Sequence, residues 1–386
     1  MKLGILGGTF DPVHSGHIQI ASAALAELGL DYVMLLPDKD PPHKNDITPA
    51  KQRYRMCRLA AATVPGLYAS ALELERAGKT YTVDSLSELR TLLPSASLYY
   101  IIGTDTLDVL DSWRDFSRIA QMCTFVVCRR AQRTASEKRM QELSEKYGAR
   151  FVVLNYIGPD LSSTDIRRCA AQGLPLTGMV PAAVERFIED KGLYLCPLRT
   201  EELLQALHKA LKPSRYQHTL GVALTARRLA QRFGINPQHA YLAALLHDCA
   251  KYCSPEEMLC LCDEAGIQTD ALERQSAALM HAPAGCALAQ KEYGVQHRAI
   301  LQAIRRHTLG DTDMTPLDAL IYTADFIEPY RPPFRGIEDV RALAETDLYG
   351  AMRLCTLYTH DYVRKKGGQP HPRTLRMLQE LGKDVQ

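Results

Sequence analysis

Two histidines near the start of the chain follow a glycine turn that could bind an anion. Gly7-Gly8-Thr9-Phe10 forms the turn, and His14 and His17 come shortly after it. Glycines let backbone N–H groups approach a phosphate closely, and a helix N-terminus adds partial positive charge. Residues three apart at a helix start share one side. The pattern predicts phosphate binding, and the alternative is that both histidines are capping or surface residues.

A second candidate for phosphate binding lies much later in the sequence, within residues 161–168. Ser162 and Ser163 are small hydroxyl residues suited to open a helix, and Arg167 adds a fixed cationic fork. This combination suits the triphosphate of a nucleotide. A plain helix cap would use the same residues.

The second half of the chain contains imidazole and carboxylate groups that could hold a metal, namely His218, His247, Asp248, His281, His307 and Asp325. His247-Asp248 follows the apolar run 242–246, which predicts that the pair lies on a largely buried helix. Burying adjacent imidazole and carboxylate groups is unfavourable unless a cation or another partner compensates. Such mixed ligands accept Fe, Mn, Co or Ni, so the sequence does not name the metal.

The first 196 residues alternate between strand-like and helix-like segments. Strands are predicted at residues 2–6, 32–36, 98–102, 124–128 and 151–154. A helix is predicted from 16 to 28, with Gly29 placed to end it. Strands separated by helices imply right-handed crossovers, so this half is predicted to be a Rossmann-like α/β domain with a parallel sheet.

After residue 196 the strand-like segments disappear and helical periodicity dominates. The second half is therefore predicted to be an all-α helical bundle. The sequence predicts two domains, residues 1–196 and 197–386.

Composition limits the classes of partner. The chain has 46 Lys+Arg against 44 Asp+Glu, a net charge of +2, so no nucleic-acid partner is expected. No apolar run is long enough for a membrane span, and the N-terminal one is too short for a signal peptide. Eleven scattered cysteines without a CxxC pair indicate reduced thiols. We expect a cytoplasmic protein without a membrane partner; a homo-oligomer is compatible with the sequence.

The two clusters of the first half together resemble the nucleotidyltransferase superfamily, which carries (H/T)xGH near its start and an ISSTxIR-like element near its end. The fit is best to nicotinate-nucleotide adenylyltransferases and extends over residues 1 to about 195. Further matching segments are residues 41–44, 80–86, 102–105, Trp113 and 191–194. The sequence departs from the usual family pattern at three places. Leu161 stands where the family often has Ile, Ser85 stands where Thr is usual, and residues 127–131 differ from the family's loop.

This resemblance implies adenylyl transfer from ATP to nicotinate mononucleotide, giving deamido-NAD and pyrophosphate. The acceptor phosphate attacks the α-phosphorus, so catalysis rests on positioning and charge stabilisation. His14 and His17 would be catalytic, and Mg²⁺ would shield the leaving pyrophosphate. The implied nucleotide-binding residues are Gly8, Thr9, Phe10, His14, His17, Lys44, Thr82, Gly103, Asp105, Trp113, Ser162, Ser163 and Arg167. Alternative acceptors are nicotinamide mononucleotide and a pantetheine phosphate, although pantetheine enzymes usually have Thr in place of His14.

The second half resembles the HD-domain metal phosphohydrolases, and within them the symmetrical diadenosine tetraphosphate hydrolases. The matching segments are residues 215–222, 247–251, 306–308, 324–325 and 371–374. The resemblance implies that His218, His247, Asp248 and Asp325 hold iron or another divalent metal. His281 and His307 would face phosphates or hold a second metal bridged by Asp248.

The same resemblance implies that a metal-activated water attacks phosphorus and splits diadenosine tetraphosphate into two ADP. Asp248 and Lys251 would be catalytic. The implied substrate-binding residues are Arg215, Asp248, His281, His307, Thr308, Asp325, Arg331, Gly368, His371 and Arg373. Alternatives are a nucleotide-sensing module, or a hydrolase for a guanosine alarmone or nucleoside triphosphates. Because both halves would handle adenosine polyphosphates, we hypothesise that the fusion couples cofactor synthesis to their removal.

Overall fold

The computed structural model describes residues 1–40, 47–76, 78–130, 136–159, 161–334 and 336–382. The chain forms two compact units. The first comprises Met1–Cys169 and Pro175–Ile188, and the second comprises Ala170–Leu174 and the chain from Glu189 onward. The junction expected at residues 196 and 197 falls inside the second unit.

The first unit is built on a six-stranded parallel sheet, in agreement with the predicted α/β fold. In chain order its strands are β1 (Lys2–Gly8), β2 (Tyr32–Pro37), β3 (Leu67–Ala69), β4 (Ser97–Gly103), β5 (Thr124–Arg130) and β6 (Arg150–Gly158). Their spatial order is β3-β2-β1-β4-β5-β6, with every neighbouring pair parallel. The sequence prediction missed β3, because three residues are too few to show a strand period.

Helices lie between these strands, and two more follow β6. They are α1 (Ser15–Leu28), α2 (Ala50–Ala61), α3 (Leu72–Glu75), α4 (Thr82–Leu92), α5 (Thr104–Leu107), a 3₁₀ helix (Leu110–Ser112), α6 (Phe116–Met122), α7 (Glu137–Tyr147), α8 (Ser163–Gln172) and α9 (Ala182–Lys191). Gly29 ends α1 with φ of 58°, a left-handed conformation that glycine adopts at little cost.

Strand β1 lies at the switch point of the sheet. The chain runs from β1 to β2 on one side, and β4 pairs with β1 on the other. Leu6 aligns with Ile101 across the β1–β4 pair, so the carboxyl ends of both strands reach the same edge. Open α/β sheets bind ligands in the crevice outside such ends.

The second unit is helical, as predicted. Its helices are α10 (Thr200–Ala210), α11 (Pro213–Arg232), α12 (Pro237–Leu246), α13 (Pro255–Glu264), α14 (Ala271–Arg274), α15 (Ala277–Lys291), α16 (Arg298–Arg306), α17 (Pro316–Ile327), α18 (Ile337–Leu343), α19 (Leu348–Lys365) and α20 (Pro372–Leu381). They pack around a core of their own that includes Val222, Leu246, Ile304 and Ile321.

The predicted placement of His247 and Asp248 on a helix is wrong in detail. Helix α12 ends at Leu246, and the two residues form the turn that follows it, both buried. The apolar run marks the buried helix but contains no signal for its last turn.

Among the described residues, none of the helices combines the length and hydrophobicity that a transmembrane span requires.

Candidate functional sites

A cavity of about 340 Å³ lies at the carboxyl ends of β1 and β4 in the first unit. Six residues predicted to bind nucleotide line it together: Gly8, His17, Thr82, Gly103, Asp105 and Trp113. They come from four separate stretches of sequence. The fold therefore brings the glycine turn, one histidine and one aromatic ring to a single crevice.

His17 is held in a defined orientation at this cavity. Its Nδ1 accepts a hydrogen bond from the backbone N–H of His14 at 3.2 Å. The rings of His14 and His17 stack with centroids 3.6 Å apart, and Phe10 packs edge-on against His17 at 4.9 Å. Because Nδ1 is an acceptor here, a neutral His17 carries its proton on Nε2, which can donate to a phosphate oxygen.

The second predicted cluster is attached to the turn that precedes α1. Ser163 donates to the carbonyl oxygen of Pro12 at 3.0 Å, and Arg167 Nη1 donates to that of Asp11 at 2.6 Å. Ser162 Oγ accepts from the backbone N–H of Asp165 at 3.1 Å and so caps α8. These side chains therefore hold the turn against the start of α8.

Several predicted residues are not among the described residues that line the cavity: Thr9, Phe10, His14, Ser162, Ser163 and Arg167. The Thr9 hydroxyl donates to Asp38 Oδ2 at 3.1 Å. Lys44 lies outside the described residues.

Sequence reasoning missed a buried arginine that organises this crevice. Arg53 is fully buried, and its guanidinium donates to the carbonyl oxygens of Thr9, Lys39 and Thr48. It also pairs with Asp38, a cavity-lining carboxylate, at 3.0 Å. The sequence signal that could have pointed to Arg53 is its position on the same face of an amphipathic helix as apolar Met56 and Cys57.

Glu73 and Tyr100 also line the cavity and were not predicted. Ser85 donates to Glu73 Oε1 at 2.7 Å, and burial raises the pKa of Glu73. Burial likewise raises the pKa of Tyr100, whose ring packs edge-on against Trp113 at 5.6 Å. A Cβ on Gly7 would lie 2.3 Å from the Tyr100 hydroxyl, so any other residue there would have to displace the Tyr100 ring.

In the second unit, the six predicted imidazole and carboxylate residues converge on one place. Their ligand atoms form three overlapping groups, each within 4.8 Å and able to hold a metal ion. The groups are His218 with His247 and Asp248; His247 with His307 and Asp325; and Asp248 with His281 and His307.

Four of the six residues have separations suited to one ion, namely His218, His247, Asp248 and Asp325. His218 Nε2 lies 3.0 Å from Asp325 Oδ1 and 3.3 Å from His247 Nε2. His247 Nε2 lies 3.5 Å from Asp248 Oδ2. Ligands about 2.1 Å from a common metal would be about 3.0–3.4 Å apart at right-angled to tetrahedral geometry. The residues therefore fit a divalent metal.

Asp248 turns its other oxygen toward a second pair of histidines. Oδ1 lies 3.2 Å from His281 Nε2 and 3.6 Å from His307 Nε2. The hydroxyl of Thr308 is 3.0 and 3.1 Å from the same two nitrogens. Asp248 is thus placed to bridge two positions.

The hydrogen bonds of the histidines orient these nitrogens so that they could bind a metal. Nδ1 of His247, His281 and His307 each contacts the carbonyl oxygen three residues earlier, at 2.6, 2.9 and 2.7 Å. A carbonyl only accepts, so Nδ1 holds the proton and Nε2 presents its lone pair. Burial lowers the pKa of His281 to about 4, which keeps it neutral near pH 7.

Lone pairs and a carboxylate concentrated in this way require a positive charge. Burial opposes ionisation of Asp248, but the electrostatic influence of the surrounding histidines, His247 first, outweighs that cost and holds the pKa of this carboxyl well below its ordinary value. Among the described residues, no donor hydrogen-bonds to its buried Oδ1. A divalent cation would satisfy that oxygen and the neighbouring nitrogens together.

Glu328 is a residue of this centre that sequence reasoning missed. It is 1% exposed, and its Oε1 lies 3.1 Å from His218 Nδ1. A carboxylate behind a ligating imidazole fixes the ring and raises its basicity. A single glutamate after α17 gave no periodicity or motif by which to find it.

Three predicted cations contact the ligands directly. Arg215 donates to Asp248 Oδ2 at 2.7 Å, and Lys251 Nζ lies 3.9 Å from Asp248 Oδ1. Arg331 donates to Asp325 Oδ1 at 3.2 Å. Positive charge therefore borders the candidate metal centre.

The predicted substrate-binding residues Gly368, His371 and Arg373 have different contacts. Gly368 donates its backbone N–H to the Val363 carbonyl at 3.0 Å. His371 Nε2 lies 3.1 Å from Asp270, and Arg373 donates to both oxygens of Glu273 at 3.1 and 3.3 Å. These three residues are anchored around α14 and at the end of α19 rather than on the six ligands.

Two family models match the chain in agreement with these sites. Residues 5–169 match the cytidylyltransferase-like family, and residues 215–330 match the HD domain. A solved structure from Clostridium acetobutylicum, of a protein named a predicted HD superfamily hydrolase involved in NAD metabolism, is 34% identical. That match covers 48% of this chain and 98% of the other, with a TM-score of 0.47.

Two relatives define the comparison further. A probable nicotinate-nucleotide adenylyltransferase of Thermoanaerobacter is 35% identical over 199 residues, 50% of this chain and 94% of the relative. A Mycoplasma genitalium protein, named probable nicotinate-nucleotide adenylyltransferase/Ap4A hydrolase, is 25% identical over 94% of this chain and 99% of its own length. The chain thus belongs to the nicotinate-nucleotide adenylyltransferase family through its first half, which an HD domain follows in the second.

Proposed function

We propose that the first half transfers the adenylyl group of ATP to nicotinate mononucleotide, forming deamido-NAD and pyrophosphate. The observation that carries the proposal is the crevice at the β1–β4 switch point, where Gly8 and His17 meet Trp113. The family of the first half supports the same activity.

In this proposal the acceptor phosphate attacks the α-phosphorus directly, and the protein positions the reactants. The Nε2–H of His17 donates to the charge that develops on the transferring phosphoryl group. Ser163 and Arg167 keep the preceding turn in place through the carbonyl oxygens of Pro12 and Asp11. Mg²⁺ enters with ATP as part of the substrate. Trp113 offers its ring to the pyridine.

The test is pyrophosphate release from ATP and nicotinate mononucleotide by the full chain. His17→Ala should lower kcat on the order of 100-fold, the usual cost of losing one transition-state donor. His208→Ala, an exposed histidine on α10, is the matched control and should leave kcat unchanged. A native chain that releases pyrophosphate with nicotinamide mononucleotide instead would overturn the choice of acceptor.

We further propose that the HD half is a metal-dependent phosphohydrolase that cleaves diadenosine tetraphosphate symmetrically. Support comes from the six converging ligands and from the name of the Mycoplasma genitalium relative. Iron or another divalent metal, when bound by His218, His247, Asp248 and Asp325, would lower the pKa of a coordinated water and offset phosphate charge. Arg215, Lys251 and Arg331 would neutralise the remaining phosphate oxygens.

Incubation of the full chain with diadenosine tetraphosphate and Fe²⁺, followed by chromatography, tests this second activity. Two ADP are expected, and AMP plus ATP would reject symmetrical cleavage. A chelator should abolish the reaction, and His247→Ala should prevent its recovery when metal is restored. Absence of any product from the metal-loaded native chain would contradict hydrolysis of this substrate.

A further inference from the structure

An exposed tyrosine is fixed beside the candidate metal centre. Tyr330 is 55% exposed, yet the chain on both sides of it is tied to metal-ligand candidates. Glu328, two residues earlier, contacts His218, and Arg331, the next residue, donates to Asp325. The backbone N–H of Tyr330 itself donates to Glu328 Oε2 at 2.7 Å.

The ring of Tyr330 rests on helix α11 close to His218. A Cβ on Gly221 would lie 2.9 Å from Tyr330 Cδ2 and 2.5 Å from Glu328 Oε2, so glycine permits the approach. Gly221 follows His218 by three residues and lies on the same face of the helix. The ring therefore contacts α11 at a position about 4.5 Å along the helix axis, a little less than one turn, from the position of His218.

The positive charge around the candidate metal centre indicates what kind of ligand would stack on the Tyr330 ring. Arg215, Lys251 and Arg331 contact the ligand carboxylates and mark where phosphates would bind. In a nucleotide the group beyond the phosphates and sugar is a flat base, and bases stack on aromatic rings. A single ring offers far less area than the roughly 800 Å² per partner of a stable protein interface.

We infer that Tyr330 is a base-stacking platform, a specificity-determining residue that selects nucleoside polyphosphates over base-free phosphates. The inference rests on the proposed nucleotide substrate of the HD half and adds the residue that recognises the base of that nucleotide. The ring needs its aromatic face for this role, and its hydroxyl is dispensable.

The experiment measures how fast EDTA removes Mn²⁺ from the full chain in the presence of ADP or inorganic pyrophosphate. A phosphate bound at the metal slows the removal, so the assay needs no turnover. In Tyr330→Ala the concentration of ADP needed for half-protection should rise about 10-fold, the usual effect of losing one base-stacking ring. Protection by pyrophosphate should not change, and Tyr330→Phe should behave as the native chain. Tyr362→Ala, which removes a ring that is 64% exposed on α19, is the matched control.

The outcomes separate the platform from the proposed function. Equal ADP protection in native and Tyr330→Ala chains overturns the platform, as does a loss in Tyr330→Phe as large as in Tyr330→Ala. Parallel loss of pyrophosphate protection also overturns it, because the variant would then have damaged the metal centre. Failure of ADP to protect the native chain rejects both proposals. Intact, Tyr330-dependent protection without cleavage of diadenosine tetraphosphate rejects the proposed substrate alone.

Discussion

At the scale of single residues, the arrangement of the candidate metal ligands in the HD half follows from the free-energy cost of burying charge. Asp248 is 2% exposed and ionised among histidines whose lone pairs point toward it. The protons on Nδ1 of His247, His281 and His307 are fixed by backbone carbonyls. Glu328 does the same for His218 with a carboxylate, which adds negative charge behind the ring.

The role of Glu328 leads to a prediction about metal affinity. Glu328→Gln keeps a hydrogen-bond acceptor behind His218 but removes the charge, so the metal Kd should rise by about 10- to 100-fold. Competition with a chromophoric chelator measures this Kd. Glu338→Gln, an exposed glutamate on α18 paired with Arg341, is the control and should leave it unchanged. An unaltered Kd in Glu328→Gln would mean that the carboxylate does not tune the ligand.

At the scale of elements, each site takes part of its side chains from places where regular structure stops. The crevice of the first unit forms at the ends of β1 and β4, and His247 and His307 directly follow the last residues of α12 and α16. Helix α2 contributes Arg53, which joins the loops after β1 and β2 through three carbonyl oxygens. One buried side chain thus sets the position of two connections.

Replacing Arg53 should therefore destabilise the first unit. Arg53→Met removes the ion-pair partner of Asp38 and the donors to three carbonyl oxygens, and breaking a buried ion pair costs about 3–5 kcal/mol. Trp113 is the single tryptophan of the chain, so its fluorescence reports unfolding of this unit in denaturant. The exposed Arg55 on the same helix provides the control, Arg55→Met, with an unchanged midpoint expected. A native-like midpoint for Arg53→Met would contradict the structural role given to this arginine.

At the scale of the whole molecule, the two compact units each contain a separate hydrophobic core and a separate candidate site. Each set of functional side chains is held by contacts within its own unit. The hypothesis that the fusion couples cofactor synthesis to removal of dinucleoside polyphosphates stays a prediction.

Separate cores predict that the two activities can be lost one at a time. Asp248→Asn should lower nucleotide hydrolysis on the order of 100-fold or more, since it weakens the metal site, while pyrophosphate release continues at the native rate. His17→Ala should give the reverse pattern. Both activities are measured on the same full-length preparations. Loss of both activities in either variant would show that the sites depend on each other.

The sequence by itself determined the two fold classes, most strand positions and the six metal-ligand candidates, because these depend on local periodicity and on motif spacing. Tertiary structure alone decided which side chains meet. It brought Asp38, Glu73 and Tyr100 to the crevice at the ends of β1 and β4, it brought Glu328 behind His218, and it placed Arg373 on Glu273. These contacts join segments far apart in the chain, and a lone buried Arg or Glu leaves no period to detect. A buried polar side chain loses its water and needs hydrogen-bond or ionic partners in its place. Which partners it has depends on tertiary packing, so its role cannot be found from the sequence alone.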